Sequence, residues 1–185
     1  MSMVALAKLA SNGDGVVKDM QRAVELLDKA IAVNGEAAGP AYLALADIYQ
    51  ANPAMAAEPD LALRNYTLAA DAGEGRGHLK AGEILAAALP FGSEQSVATA
   101  RHFTEAARLL DVDTVTKAMF GLRSTALYAT VQRMLSDRGY SIGTIDGKFG
   151  PQTVTSIKKF CADQKVTSCS GLVVGYDLLA ALLSP

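Results

Sequence analysis

Apolar residues along the first 110 positions recur every three to four places, in runs separated by clusters of Gly, Asn, Pro and Asp. That is the spacing of amphipathic helices joined by turns. The pattern predicts a helix over Val4–Ala10, a turn at Asn12-Gly13-Asp14-Gly15, and a second helix over Met20–Val33 with Asp19 as its N-cap and Asn34-Gly35 as its stop. A second pair follows, Tyr42–Gln50 and Leu61–Ala72, with Pro53 and Pro59 in the loop and Gly73 at the end. A third runs Leu79–Leu89, through Pro90 and Gly92, to Val97–Leu110, and Thr114–Leu122 reads as a short capping helix.

The three pairs are copies of one unit. With Ala30, Ala69 and Ala106 aligned, at steps of about 39 and 37 residues, Leu27, Tyr66 and Phe103 fall three residues earlier. Seven residues before the alanines stand Ala23, Ala62 and Thr99, and twenty-one before them Leu9, Ile48 and Leu85. A bulky residue followed one turn later by a small one suits closely packed helices, the small residue receiving a neighbour's bulk.

From Ser124 the pattern changes. Leu127, Val131, Met134 and Leu135 make one apolar stripe on a helix over Ala126–Arg138, which Gly139-Tyr140 ends. The loop to Gly150 contains Asp146-Gly147, a turn dipeptide in which Asp accepts backbone N–H bonds and Gly supplies positive φ. Pro151 suits the first position of a helix carrying Val154, Ile157, Phe160 and Cys161 on one face. A last helix over Tyr176–Leu183 offers Leu178, Leu179 and Leu182. The fold class expected is therefore all-α: a helix-pair repeat solenoid over 1–123 and a small three-helix domain over 124–185.

Two resemblances follow from these residues. The first pair, with Gly13-x-Gly15-Val16-x-x-Asp19, Ala23, Lys29-Ala30 and Gly35, resembles the SEL-one-like repeats, helix-pair relatives of tetratricopeptide repeats. The stretch Val131-Gln132-x-x-Leu135-x-x-x-Gly139-Tyr140-x-x-Gly143-x-Ile145-Asp146-Gly147-x-Phe149-Gly150-x-x-Thr153-x-x-x-Ile157-x-x-Phe160 is similar to the type-one peptidoglycan-binding domain, a three-helix module found on wall hydrolases and envelope proteins. The resemblance implies peptidoglycan as a partner, with Tyr140, Asp146, Gly147, Phe149, Gly150 and Thr153 as candidate contacts. Turn and cap geometry also explains Asp146, Gly147, Gly150 and Thr153, and core packing explains Phe149. Tyr140, an aromatic tip beside a loop, is the best stacking candidate. The repeats imply either a surface for a protein partner or a spacer.

Composition narrows this picture. Half of the 185 residues are hydrophobic and 19% are charged, enough apolar material for cores. Residues 1–123 hold 11 basic and 15 acidic residues, net −4, and residues 124–185 hold 6 and 4, net +2. Neither half has the dense basic face that nucleic acid needs. No apolar run reaches the length of a membrane span, and the start lacks an export signal. The chain reads as an excised piece of a longer exported or membrane-anchored bacterial protein, periplasmic or in the cell envelope.

Chemistry is not expected. His78 and His102 stand in separate repeat helices, no metal-ligand cluster is spaced for zinc, and no cofactor is implied. Cys161 lies on an apolar stripe, which fits either a buried thiol or a disulfide, and an exported domain holding Cys161 and Cys169 suggests that the two are bridged. The function expected is a non-catalytic envelope protein that binds peptidoglycan and presents its repeats to a partner. The alternative is a targeting fragment of a larger wall-remodelling enzyme or envelope regulator.

Overall fold

A computed structural model describes residues 2–35, 38–58, 60–88, 93–167, 169 and 174–184. The described residues are all-α: α1 (Met3–Asn12), α2 (Met20–Asn34), α3 (Gly39–Ala51), α4 (Leu61–Asp71), α5 (Gly75–Ala87), α6 (Ser93–Leu109), α7 (Val112–Phe120), α8 (Ser124–Asp137), α9 (Pro151–Asp163) and α10 (Tyr176–Leu183), with a 3₁₀ turn at Pro53–Met55. Pro59 of the predicted second-pair loop, and the predicted loop through Pro90 and Gly92, fall outside the described residues.

The helix ends follow the local chemistry. Asp19 accepts the Arg22 N–H at 2.8 Å, and Asp111 caps α7 by accepting the Thr114 N–H at 2.7 Å. Gly13 closes α1 at φ 79°, its N–H bonded to the Leu9 carbonyl, a left-handed stop that costs glycine little. α3 carries buried residues on most of its circumference, among them Ala41, Leu43, Ala44, Leu45 and Ile48, because it packs against α1, α2 and α4.

The repeat register is also the packing register. Leu27, Tyr66 and Phe103 are each buried, and so are the alanines one turn on, Ala30, Ala69 and Ala106. The Tyr66 hydroxyl donates to Asp47 Oδ1 at 2.8 Å, so a phenol can stand where the other copies have Leu and Phe.

The chain divides into two compact units, Met1–Lys80 and Ala81–Pro185, and the division falls within α5. In the first, the core is formed by Ala7, Ala23, Leu27, Ala30, Ala41, Ala44, Leu45 and Ile48. In the second, α6 packs on α7, α8 and α10, α10 packs on α7 and α8, and α8 packs on α9. The Tyr176 hydroxyl donates to Asp113, which also pairs with Lys117 at 2.6 Å, so the last helix is tied to α7 by a polar contact as well as by apolar packing. α6 and α7 thus share one unit with the residues after Ser124.

Candidate functional site

The Gly139–Gly150 loop is built around a side chain of the helix before it. Gln132 lies on α8 next to the buried stripe of Val131, Met134 and Leu135, and it is 1% exposed. Its Oε1 accepts the N–H groups of Gly147 at 2.8 Å and Asp146 at 3.2 Å. Its Nε2 donates to the carbonyls of Lys148 at 2.9 Å and Thr144 at 3.1 Å, with Thr153 Oγ1 at 3.3 Å and Asp146 Oδ1 at 3.4 Å. One buried amide therefore satisfies both donors and acceptors of an irregular turn, which water would otherwise have to do.

The rest of the loop closes on this amide. Asp146 Oδ1 accepts the Lys148 N–H at 2.9 Å. That bond holds the Asp146 carboxyl below the usual carboxylate value. A carboxyl lowered on folding stabilises the fold at neutral pH, and the contribution is lost progressively as pH falls from the ordinary carboxylate value through the lowered one. Gly147 has φ 72°, and a Cβ there would stand 2.6 Å from the Thr125 carbonyl oxygen, so both conformation and space demand glycine. Thr153 donates to the Ile142 carbonyl at 3.1 Å, and Ser156 donates to the Ser141 carbonyl at 2.5 Å, pinning the first half of the loop to α9.

The sequence-predicted site residues separate into four places. Asp146, Gly147 and Thr153 gather around Gln132 and spend their polar groups inside the loop. Phe149 stacks on Tyr128 of α8, with ring centroids 4.3 Å apart and planes 18° from parallel. Gly150 is the N-cap of α9 with open space where a Cβ would be, ahead of Pro151. Tyr140 stands elsewhere. Its ring meets Phe160 edge to face at 5.5 Å, and its hydroxyl donates to Asp163 Oδ2 at 2.8 Å, which raises the phenol above its usual value. It lines an open groove of about 290 Å³ with Arg138, Phe160, Gln164, Ala181 and Ser184.

Gln132 and Tyr128 are the residues to which sequence reasoning gave no role. The signal was present for Gln132: an amide interrupting an apolar helical face must find buried partners.

Cys161 is buried on α9 and bonded to Cys169, with their Cα atoms 6.2 Å apart. A bridge closing a loop of about 9 residues is worth roughly 2.5 kcal/mol on chain-entropy arithmetic. The protein purified without reductant is expected to show no alkylated thiol by intact mass, and two after reduction. Two labelled thiols before reduction would remove the bridge. Among the described residues, no group of three His, Cys, Asp or Glu side chains is placed to hold a metal ion, and no helix is long and apolar enough to cross a membrane.

Comparison with known proteins gives one match of sequence and one likeness of fold. Residues 124–167 match the sequence profile of a family described as "Putative peptidoglycan binding domain". The fold is similar to the crystal structure of c5321, a protective antigen present in uropathogenic Escherichia coli strains that displays an SLR fold, with a TM-score of 0.52 at 16% identity. That similarity covers 92% of this chain but 34% of the other, so the chain spans about a third of that protein's length. No curated protein matches the sequence. Residues 124–167 thus resemble a peptidoglycan-binding domain in sequence, and the helical fold resembles one described as an SLR fold.

Proposed function

We propose that this chain is a non-catalytic protein of the bacterial cell envelope, holding peptidoglycan through residues 124–185 and presenting the helical repeats of 1–123 to a protein partner. The observation that carries the reading is the family match over 124–167, which coincides with the helix–loop–helix organised by Gln132. The functional boundary at 123/124 is drawn where that match begins, inside the second compact unit.

The loop geometry favours a division of labour among the candidate contacts. Asp146, Gly147 and Thr153 shape the turn through Asp146 Oδ1, the Gly147 N–H and Thr153 Oγ1, each bonded within the site. Tyr140 is half-buried at a groove edge beside Arg138 and Gln164, where a polar sugar or stem peptide can meet an aromatic surface and hydrogen-bonding groups together. Phe149 flanks the turn against Tyr128, and Gly150 leads into α9.

Co-sedimentation with insoluble sacculi tests the reading. The full chain is expected to pellet weakly, helped by repetition of sites along the polymer. Tyr140→Ala is expected to reduce the pelleted fraction severalfold with helical circular dichroism unchanged. Asp146→Ala should lower stability first and binding only through it. A folded chain that stays in the supernatant at every sacculus concentration would leave the peptidoglycan-binding resemblance as one of fold alone.

A further inference from the structure

The first compact unit carries a second surface, and its chemistry differs from that of the wall-binding part. α1, α2 and α3 leave an open groove of about 560 Å³. Its floor is apolar and buried, formed by Ala7, Leu27, Ala44 and Ile48. Its rim carries two exposed lysines, Lys8 on α1 and Lys18 in the loop before α2, whose ammonium groups have no ion pair among the described residues. The carboxylate that lines the groove, Asp47, is already engaged: Oδ1 accepts the Tyr66 hydroxyl at 2.8 Å, and Oδ2 faces the Arg76 guanidinium at 3.6 Å. Asp14, near the same end, accepts the Asn12 amide at 3.2 Å. The groove therefore offers two ammonium groups outside any ion pair among the described residues, on the rim of an apolar floor.

We propose that this groove binds an acidic peptide segment, one apolar side chain seated against Met20 and Ile48 and flanking carboxylates paired with Lys8 and Lys18. The proposal rests on reading the repeats as a partner surface, and it names the partner's chemistry. Two charges are too few to hold a nucleic acid, and a bare glycan would leave the apolar floor unused. A peptide supplies both kinds of group at side-chain spacing, and carboxylates at a groove edge are screened less than on an open surface.

Fluorescence anisotropy on the full chain tests it, with a labelled nonapeptide of alternating Glu and Leu as probe and its Gln-for-Glu counterpart as control. The Glu peptide is expected to bind saturably, and the Gln peptide at least tenfold more weakly. The double variant Lys8→Glu/Lys18→Glu should lose at least tenfold in affinity, and Lys8→Arg/Lys18→Arg should stay within about threefold of wild type. Absence of saturable binding, equal binding of the Gln peptide, or an unaffected Glu variant overturns the proposal. So does binding of phosphatidylglycerol vesicles in preference to the peptide.

Two further arms separate this from the reading beneath it. The Glu double variant should pellet with sacculi like wild type; a parallel loss of pelleting would assign the groove to the wall and overturn the proposal. Photo-crosslinking in cells expressing the chain compares a reactive residue at Ala51, in the groove, with one at Val33, exposed on α2. Adducts at Ala51 that excess Glu peptide removes support the groove, and adducts there that the peptide leaves unchanged overturn it. Adducts at Val33 alone overturn the groove but keep the partner surface, and adducts at neither overturn both.

Discussion

Gln132→Leu is expected to destabilise the second compact unit by about 3 kcal/mol and to abolish pelleting with sacculi. The replacement is close in volume, so packing beside Val131 and Leu135 changes little, and the loss is one of polar partners. The Gly147 N–H is buried and would face a methyl group in place of Oε1, at about 1–3 kcal/mol. The Asp146 N–H and the carbonyls of Thr144 and Lys148 belong to exposed residues, so water rescues them in part, and each adds a smaller share. Amide exchange gives the local readout: Gly147 should be well protected in wild type and exchange far faster in the variant. Unchanged protection at Gly147, with stability within about 1 kcal/mol of wild type, would show that the turn holds itself through Asp146 and Thr153.

This residue shows where the sequence was readable and where it was not. Periodicity located the helices because burial acts on each helix face directly: the aligned Leu27, Tyr66 and Phe103 are all buried, as are the alanines after them. Cap chemistry at Asp19 and Gly139 is equally local and was equally plain. The candidate site was legible as a stretch of chain and not as an arrangement. Asp146, Phe149 and Tyr140 lie within ten residues of one another, yet they face Gln132, Tyr128 and Phe160 respectively. The direction of a side chain in a loop depends on the path of the whole loop, and a partner twelve or more residues away sets that path. The grouping of α6 and α7 with the C-terminal helices was hidden for the same reason. The change of pattern at Ser124 is a property of neighbouring residues, whereas the Tyr176–Asp113 contact joins positions 63 apart.

Gly77→Val is expected to cost the first compact unit about 2–4 kcal/mol, although any helical residue normally gains from losing glycine. Gly77 lies in the first turn of α5 without a positive φ, and replacing glycine there would contribute at most a fraction of a kcal/mol through propensity alone. Space decides the sign. A Cβ at Gly77 would stand 2.7 Å from the Ala70 backbone nitrogen, 2.8 Å from the Tyr66 carbonyl oxygen and 3.0 Å from the Ala69 Cβ. Two of these are backbone atoms of α4 and cannot rotate aside, so the helices must separate, and the buried Tyr66 and Ala69 lose close contact with them. Gly82 on the same helix is the control. There a Cβ would meet the Phe103 ring at 3.2–3.3 Å, a contact that a small tilt of the ring relieves. Gly82→Ala should therefore stay within about 1 kcal/mol of wild type, the propensity gain offsetting the adjustment. Urea denaturation of the full chain, with amide exchange at Tyr66 assigning the change to α4, measures both. Equal stability of Gly77→Val and wild type would mean that α4 and α5 do not approach as closely as these distances require.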